Sequence, residues 1–85
     1  MYNYFMVMGV VEGYFYGKTL TIKLKVKREF GEGSDTFEIV FFEALADTIK
    51  ENIRMGDKMI IKGRLIQTTK LEMVGERAWF FKDLK

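Results

Sequence analysis

Apolar and polar residues alternate over residues 19–28, with Leu20, Ile22, Leu24 and Val26 on one side and Thr21, Lys23, Lys25 and Lys27 on the other. Period-two alternation predicts a half-buried strand. Residues 2–11 are rich in aromatic and β-branched side chains and predict an earlier strand. Phe5 and Val7 would face one way and Tyr4, Met6 and Met8 the other, so both faces are apolar. A strand of that kind is buried on two sides or lies in a contact between subunits. Glu12-Gly13 and Gly17-Lys18 bracket Tyr14, Phe15 and Tyr16, which read as a short aromatic loop.

Residues 31–35 form a turn by composition, and residues 36–42 predict a third strand. Its inner face would hold Phe37, Ile39 and Phe41, its outer face Glu38, Val40 and Phe42. From residue 43 to 55 the period lengthens. Leu45, Ile49 and Ile53 share one helical side, opposite Asp47, Lys50, Glu51 and Arg54. Gly56 supplies a left-handed C-cap, so the helix is expected to reach Met55. Residues 57–67 return to alternation with Met59, Ile61, Gly63 and Leu65 inward, and Gly63 in mid-strand predicts a bend or bulge. Residues 71–84 predict a last strand, interrupted at Gly75.

The order is three strands, a helix and two strands. This is an all-β chain with one short helix between strands 3 and 4, and its natural closed form is the five-stranded OB barrel. A length of 85 residues allows one domain, 1–85, and one hydrophobic core.

The chemistry available narrows the function. The chain has no cysteine and no histidine, so the thiol nucleophile, the usual general base and the usual zinc ligands are all missing. Glu32 and Asp35 lack the dense spacing of a calcium loop, and Gly31-x-Gly33 has no helix behind it to cradle a phosphate. Binding rather than catalysis is expected, with no metal and no cofactor. No run approaches the ~20 apolar residues that cross a bilayer, and the apolar start lacks a basic leader. A soluble cytoplasmic protein without membrane contact is expected. The net charge of +2 says little, but its distribution says more. Residues 18–28 hold five basic side chains and no acidic one, whereas the stretch 29–51 is rich in acids. Two readings weigh equally at this point: a surface that follows phosphates, or a solvated face whose lysines discourage edge pairing.

The segments FEIVFFEALAD (37–47) and MGDKMIIKGRL (55–65) carry more specific information. An aromatic-ended strand running into a Leu-Ala helix, then a Gly-Asp-Lys turn and a strand ending in Gly-Arg-Leu, resembles the bacterial and phage single-stranded DNA-binding protein family. Residues 3–9 look like that family's opening strand and residues 72–80 like its closing one. The hairpin between strands 4 and 5 is reduced to about residues 68–70, and the sequence ends at Lys85 without the family's acidic C-terminal peptide. In this it is also similar to the tail-less primosomal replication protein N type.

The resemblance implies sequence-tolerant binding of single-stranded DNA in replication, recombination or repair, by a basic groove and base-stacking aromatics. Lys23, Lys25, Lys27 and Arg28 would form the groove, extended by Lys62 and Arg64 from the fourth strand. By alignment, Phe30 and Phe42 fall at stacking positions; the alternative for Phe42 is to seal the helix against the barrel. Tyr14 and Tyr16 would either stack or cap the barrel end. Tyr4, Met6 and Met8 are implied as the interface of a homodimer or homotetramer, because the family pairs through its first strand. Trp79 is expected at a sheet face or subunit contact. RNA stays open as a ligand, since stacking alone does not read the sugar. A reading from another class is an assembly module that contacts a protein partner, replication proteins included. Exposed aromatics beside the lysine face would favour the nucleic-acid reading.

Overall fold

The computed structural model describes residues 3–84. The elements are β1 (Tyr4–Tyr16), β2 (Leu20–Lys27), β3 (Ser34–Phe41), α1 (Glu43–Asn52), β4 (Lys58–Gln67), β5 (Leu71–Phe80) and a 3-10 turn (Phe81–Asp83). The five strands close into a barrel in the order β1-β2-β3-β5-β4, with the helix between strands 3 and 4.

β1 makes closure possible. Its first half pairs antiparallel with β4, from Tyr4 opposite Arg64 to Val10 opposite Lys58. Its second half pairs with β2, from Val10 opposite Lys25 to Tyr16 opposite Leu20. Between Val11 and Gly13 the register slips, leaving Glu12 as the extra residue of a bulge that bends the strand. The strand predicted to start at residue 2 and end at residue 11 therefore continues to Tyr16, while Tyr2 lies outside the described residues. Tyr14, Phe15 and Tyr16, expected as a loop, belong to β1. The true turn is at residues 17–19, closed by the Gly17 amide donating to the Thr19 carbonyl at 2.9 Å.

Two other boundaries differ from expectation. The helix stops at Asn52, and Ile53 is extended (φ −72, ψ 138) yet fully buried. Ile53 keeps the apolar spacing because the barrel interior needs it there, whatever its backbone does. Gly56 is left-handed (φ 86), but it serves a reverse turn in which the Asp57 amide donates to the Arg54 carbonyl, and is not the helix cap. The last strand ends at Phe80 rather than at residue 84, as Phe81–Asp83 turns back toward the helix. There Lys82 Nζ donates to the Asn52 carbonyl at 2.7 Å and to Asp57 at 2.9 Å.

The core collects the inward positions: Leu20, Ile22 and Leu24 from β2, Ile39 and Phe41 from β3, Met59 and Ile61 from β4, and Ala46, Ile49 and Ile53 from the helix region. Val26, Phe37 and Leu65, also expected inward, are only partly buried, and Phe37 and Leu65 line a groove of about 700 Å³. β3 and β5 close the barrel in parallel through two registered pairs, Ile39 with Met73 and Val40 with Val74. Beside this seam, Gly63 opposite Gly75 marks the second bulge, with Glu76 as the extra residue. The expected break at Gly75 is this bulge within a continuous strand. A Cβ on Gly63 would run into the Val74 carbonyl, and one on Gly75 into the Phe41 ring.

Gly63→Ala is therefore expected to lower stability by about 1–3 kcal/mol, the usual cost of forcing atoms into a packed interior. An unchanged urea midpoint would show that β4 and β5 separate freely at the bulge.

Candidate nucleic-acid interface

Strand alternation decides which side chains share a surface. On β2, Lys23, Lys25 and Lys27 all point out of the barrel and are exposed, so the predicted ladder is present. Its neighbours on β3 are Glu38 opposite Lys23, Thr36 opposite Lys25 and Ser34 opposite Lys27. Lys23 Nζ lies 3.9 Å from the Glu38 carboxylate, and the Thr36 hydroxyl donates to Glu12 at 2.9 Å. Among the described residues, Lys25 and Lys27 make no ion pair.

Aromatic residues stand at both ends of this ladder. Phe30 sits in the β2–β3 turn with 84% of its surface exposed, between Arg28 and the left-handed glycines Gly31 and Gly33. At the other end Phe15, opposite Thr21 on β2, is 74% exposed and borders a hollow with Gly13, Thr21 and Lys23. Phe15 is not among the residues that the sequence pattern places on this face. Its signal was present, in that an aromatic triplet just before a strand is itself strand-like, but the glycines around it read as loop ends. Phe42 is 49% exposed where β3 gives way to α1, so it neither seals the helix completely nor stands free.

The two tyrosines part company. The Tyr16 hydroxyl donates to Asp47 on the helix, and Lys50 Nζ sits 4.3 Å over its ring. Tyr16 thus ties the β1–β2 hairpin to α1. Tyr14 is half-exposed and pairs with Ile22.

Arg28 leaves the ladder as well. Its guanidinium grips Asp35 with Nε at 3.2 Å and Nη2 at 2.9 Å. These hydrogen bonds hold the Asp35 carboxyl below its ordinary value. The pair is therefore complete at neutral pH and is lost only as pH falls through that depressed value.

Lys62 and Arg64 are not brought beside the β2 lysines. They project from β4 opposite Met6 and Tyr4, with β1 standing between β4 and β2. Arg64 also pairs with Glu76 at 2.9 Å. The β4 cation aligned with the ladder is Lys58, since Val10 is opposite both Lys25 and Lys58. The remaining outer face of β1, β4 and β5 is apolar at its centre. Tyr4, Met6 and Met8 form an exposed stripe, and Met8, Ile60 and the half-buried Trp79 line up across three strands.

The barrel, its strand order and the helix between strands 3 and 4 define an OB fold. No protein-family model matches the sequence, and no curated protein matches it. Solved structures do. A mitochondrial single-stranded DNA-binding protein from S. cerevisiae superposes with a TM-score of 0.81 at 12% identity, covering 95% of this chain and 95% of that one. The small single-stranded DNA-binding protein of Streptomyces coelicolor gives 0.78 at 18% identity, over 99% of this chain and 96% of that one. The SSB domain of a Synechococcus sp. protein gives 0.75 at 15% identity, over 92% and 94%. The chain shares its fold with single-stranded DNA-binding proteins along nearly its whole length.

The Tyr16 contact has a spectroscopic consequence. The hydrogen bond to Asp47, helped by burial and by the carboxylate's charge, raises the Tyr16 phenol above its ordinary value of 10.0. Its contribution is present below the unfolded value and lost as pH rises through the folded one. Tyrosinate absorbance should show a phase above 10.0 from Tyr16, and Asp47→Asn should abolish that phase. Identical titrations for the two proteins would mean that the hairpin is not tied to the helix in solution.

Proposed function

We propose that this chain binds single-stranded DNA with little sequence preference, along the outer face of β2 between Phe15 and Phe30. The observation that carries the proposal is Phe30, 84% exposed at the end of a lysine ladder. A phenylalanine so placed contributes nothing to the core, and its faces are open to a base. Thr21 to Lys27 spans about 20 Å at ~3.3 Å per residue, room for a few extended nucleotides between the two rings. Phe42, just beyond the Phe41–Leu20 pair, falls at the Phe15 end of this track, whereas Tyr14, opposite the buried Ile22, faces the other side of the sheet.

Charge supports the track less than the bare count of lysines suggests. Lys23 has Glu38 beside it and Arg28 is engaged by Asp35. Lys25 and Lys27 remain for phosphates. Stacking, at about 1–3 kcal/mol per base, then carries most of the affinity.

The apolar stripe of Tyr4, Met6 and Met8 favours a second element of the proposal, self-association into a homodimer or homotetramer through β1. Residues 5–9 pair with β4 on one edge only. The same stripe is what an assembly module would use, but the aromatics flanking the lysine face favour nucleic acid. The fitting role is replication, recombination or repair in the cytoplasm.

Anisotropy of labelled oligo-dT at several salt concentrations, with duplex and RNA controls, tests this reading. Single-strand binding is expected with a shallow salt slope, about 1.4 from two lysines at ~0.7 per phosphate, and Lys25→Ala with Lys27→Ala should flatten it. Phe30→Ala and Phe15→Ala should each weaken binding by about 1–3 kcal/mol. Absence of binding at low salt would sink the proposal in favour of the assembly module. Light scattering should report two or four chain masses, and a monomer at micromolar concentration would remove the self-association.

A further inference from the structure

The β2–β3 turn is closed twice. The Arg28 amide donates to the Gly33 carbonyl at 3.2 Å, and the Arg28 side chain grips the Asp35 carboxylate through two nitrogens. Asp35 is opposite Val26 on the adjoining strands, so Arg28 and Asp35 are diagonal neighbours. By alternation Asp35 leaves the sheet with Val26, on the side opposite Lys23, Lys25 and Lys27, and the Arg28 side chain reaches it there. The guanidinium is thus turned from the lysine face as well as occupied.

The Arg28–Asp35 closure encloses six residues, 29–34, with Phe30 exposed and with Gly31 (φ 82) and Gly33 (φ 100) in left-handed backbone. Glycines in that region let the turn form but do nothing to hold it. Both side chains of the Arg28–Asp35 pair are about half exposed, and a surface pair of this kind adds little to global stability. Its effect is local, on how much of the time the turn keeps one shape.

We propose that Arg28 and Asp35 form a clasp that presets the turn for base stacking by Phe30, making Arg28 a positioning residue rather than a phosphate contact. The proposal rests on the single-strand reading of this face. A turn that is competent only part of the time weakens apparent affinity by that fraction. The clasp keeps the competent fraction high before the strand arrives.

Asp35→Asn separates the two roles by sign. If Asp35 merely restrained a phosphate-binding Arg28, the substitution would free the guanidinium, tighten oligo-dT binding and steepen its salt dependence. The clasp predicts the opposite: about fivefold weaker binding with an unchanged slope, as expected if the competent fraction falls to about a fifth. Arg28→Ala should match it, with no loss of slope, whereas a lost phosphate contact would remove about 0.7. Neither substitution should matter further in a Phe30→Ala background. Exchanging the two residues, Arg28→Asp with Asp35→Arg, should restore affinity. In the free protein, Asp35→Asn should speed hydrogen exchange at the Arg28 amide, and unchanged exchange would overturn the clasp. Wild-type binding with Asp35→Asn equal or tighter would overturn the proposal alone. Failure of the wild type to bind oligo-dT would overturn the single-strand reading and the clasp's role with it.

Discussion

The structure depends on one strand pairing in two directions. β1 hydrogen-bonds to β4 with its first half and to β2 with its second, and the Glu12 bulge bends it from one partner to the other. A straight strand of that length could not serve both, and the sheet would stay open. The remaining seam, β3 against β5, is a short parallel contact beside two glycines that let the strands and the Phe41 ring approach. Each bulge supplies local bending where the barrel must turn, at the cost of one unpaired residue.

Closure also decides the surface. With β1 between them, Lys23, Lys25 and Lys27 lie on one face and Lys62 and Arg64 on another beside Met6 and Tyr4, and of the β4 cations Lys58 lines up with the ladder. The bulge shifts the pleat, so the residues after it are redistributed between the two sides of the strand. Phe15 comes to stand opposite Thr21 on the lysine face, while Tyr16 reaches the helix and bonds Asp47.

On the lysine face Glu38 of β3 offsets the charge of Lys23, and Arg28 is drawn to Asp35 on the other side of the sheet. Such a face steers a polyanion weakly over distances beyond a Debye length, about 8–10 Å at ordinary salt. On the proposed reading, recognition is then mainly short-range contact between bases and aromatic rings. Sequence tolerance follows naturally, because every base presents a π-face.

Local pattern by itself determined a great deal here. Period-two alternation identified the inward residues Leu20, Ile22, Leu24, Ile39, Phe41, Met59 and Ile61, all fully buried, and the four-residue spacing located the helix. Those signals are legible because burial imposes the backbone's own period on the sequence. The lysine ladder was legible for the same reason, whereas Phe30 stood out through the family resemblance and the glycine-rich turn beside it. Where one element ends was harder to see: Glu12-Gly13 reads as a strand end, since a bulge and a turn have similar compositions, and Ile53 reads as helix because it is buried. Only the tertiary structure decided that Arg28 belongs to Asp35, that Phe15 joins the lysine face, and that Lys62 and Arg64 do not. Each of these depends on which distant strands become neighbours and on the register between them, and that is set by barrel closure rather than by any stretch of adjacent residues.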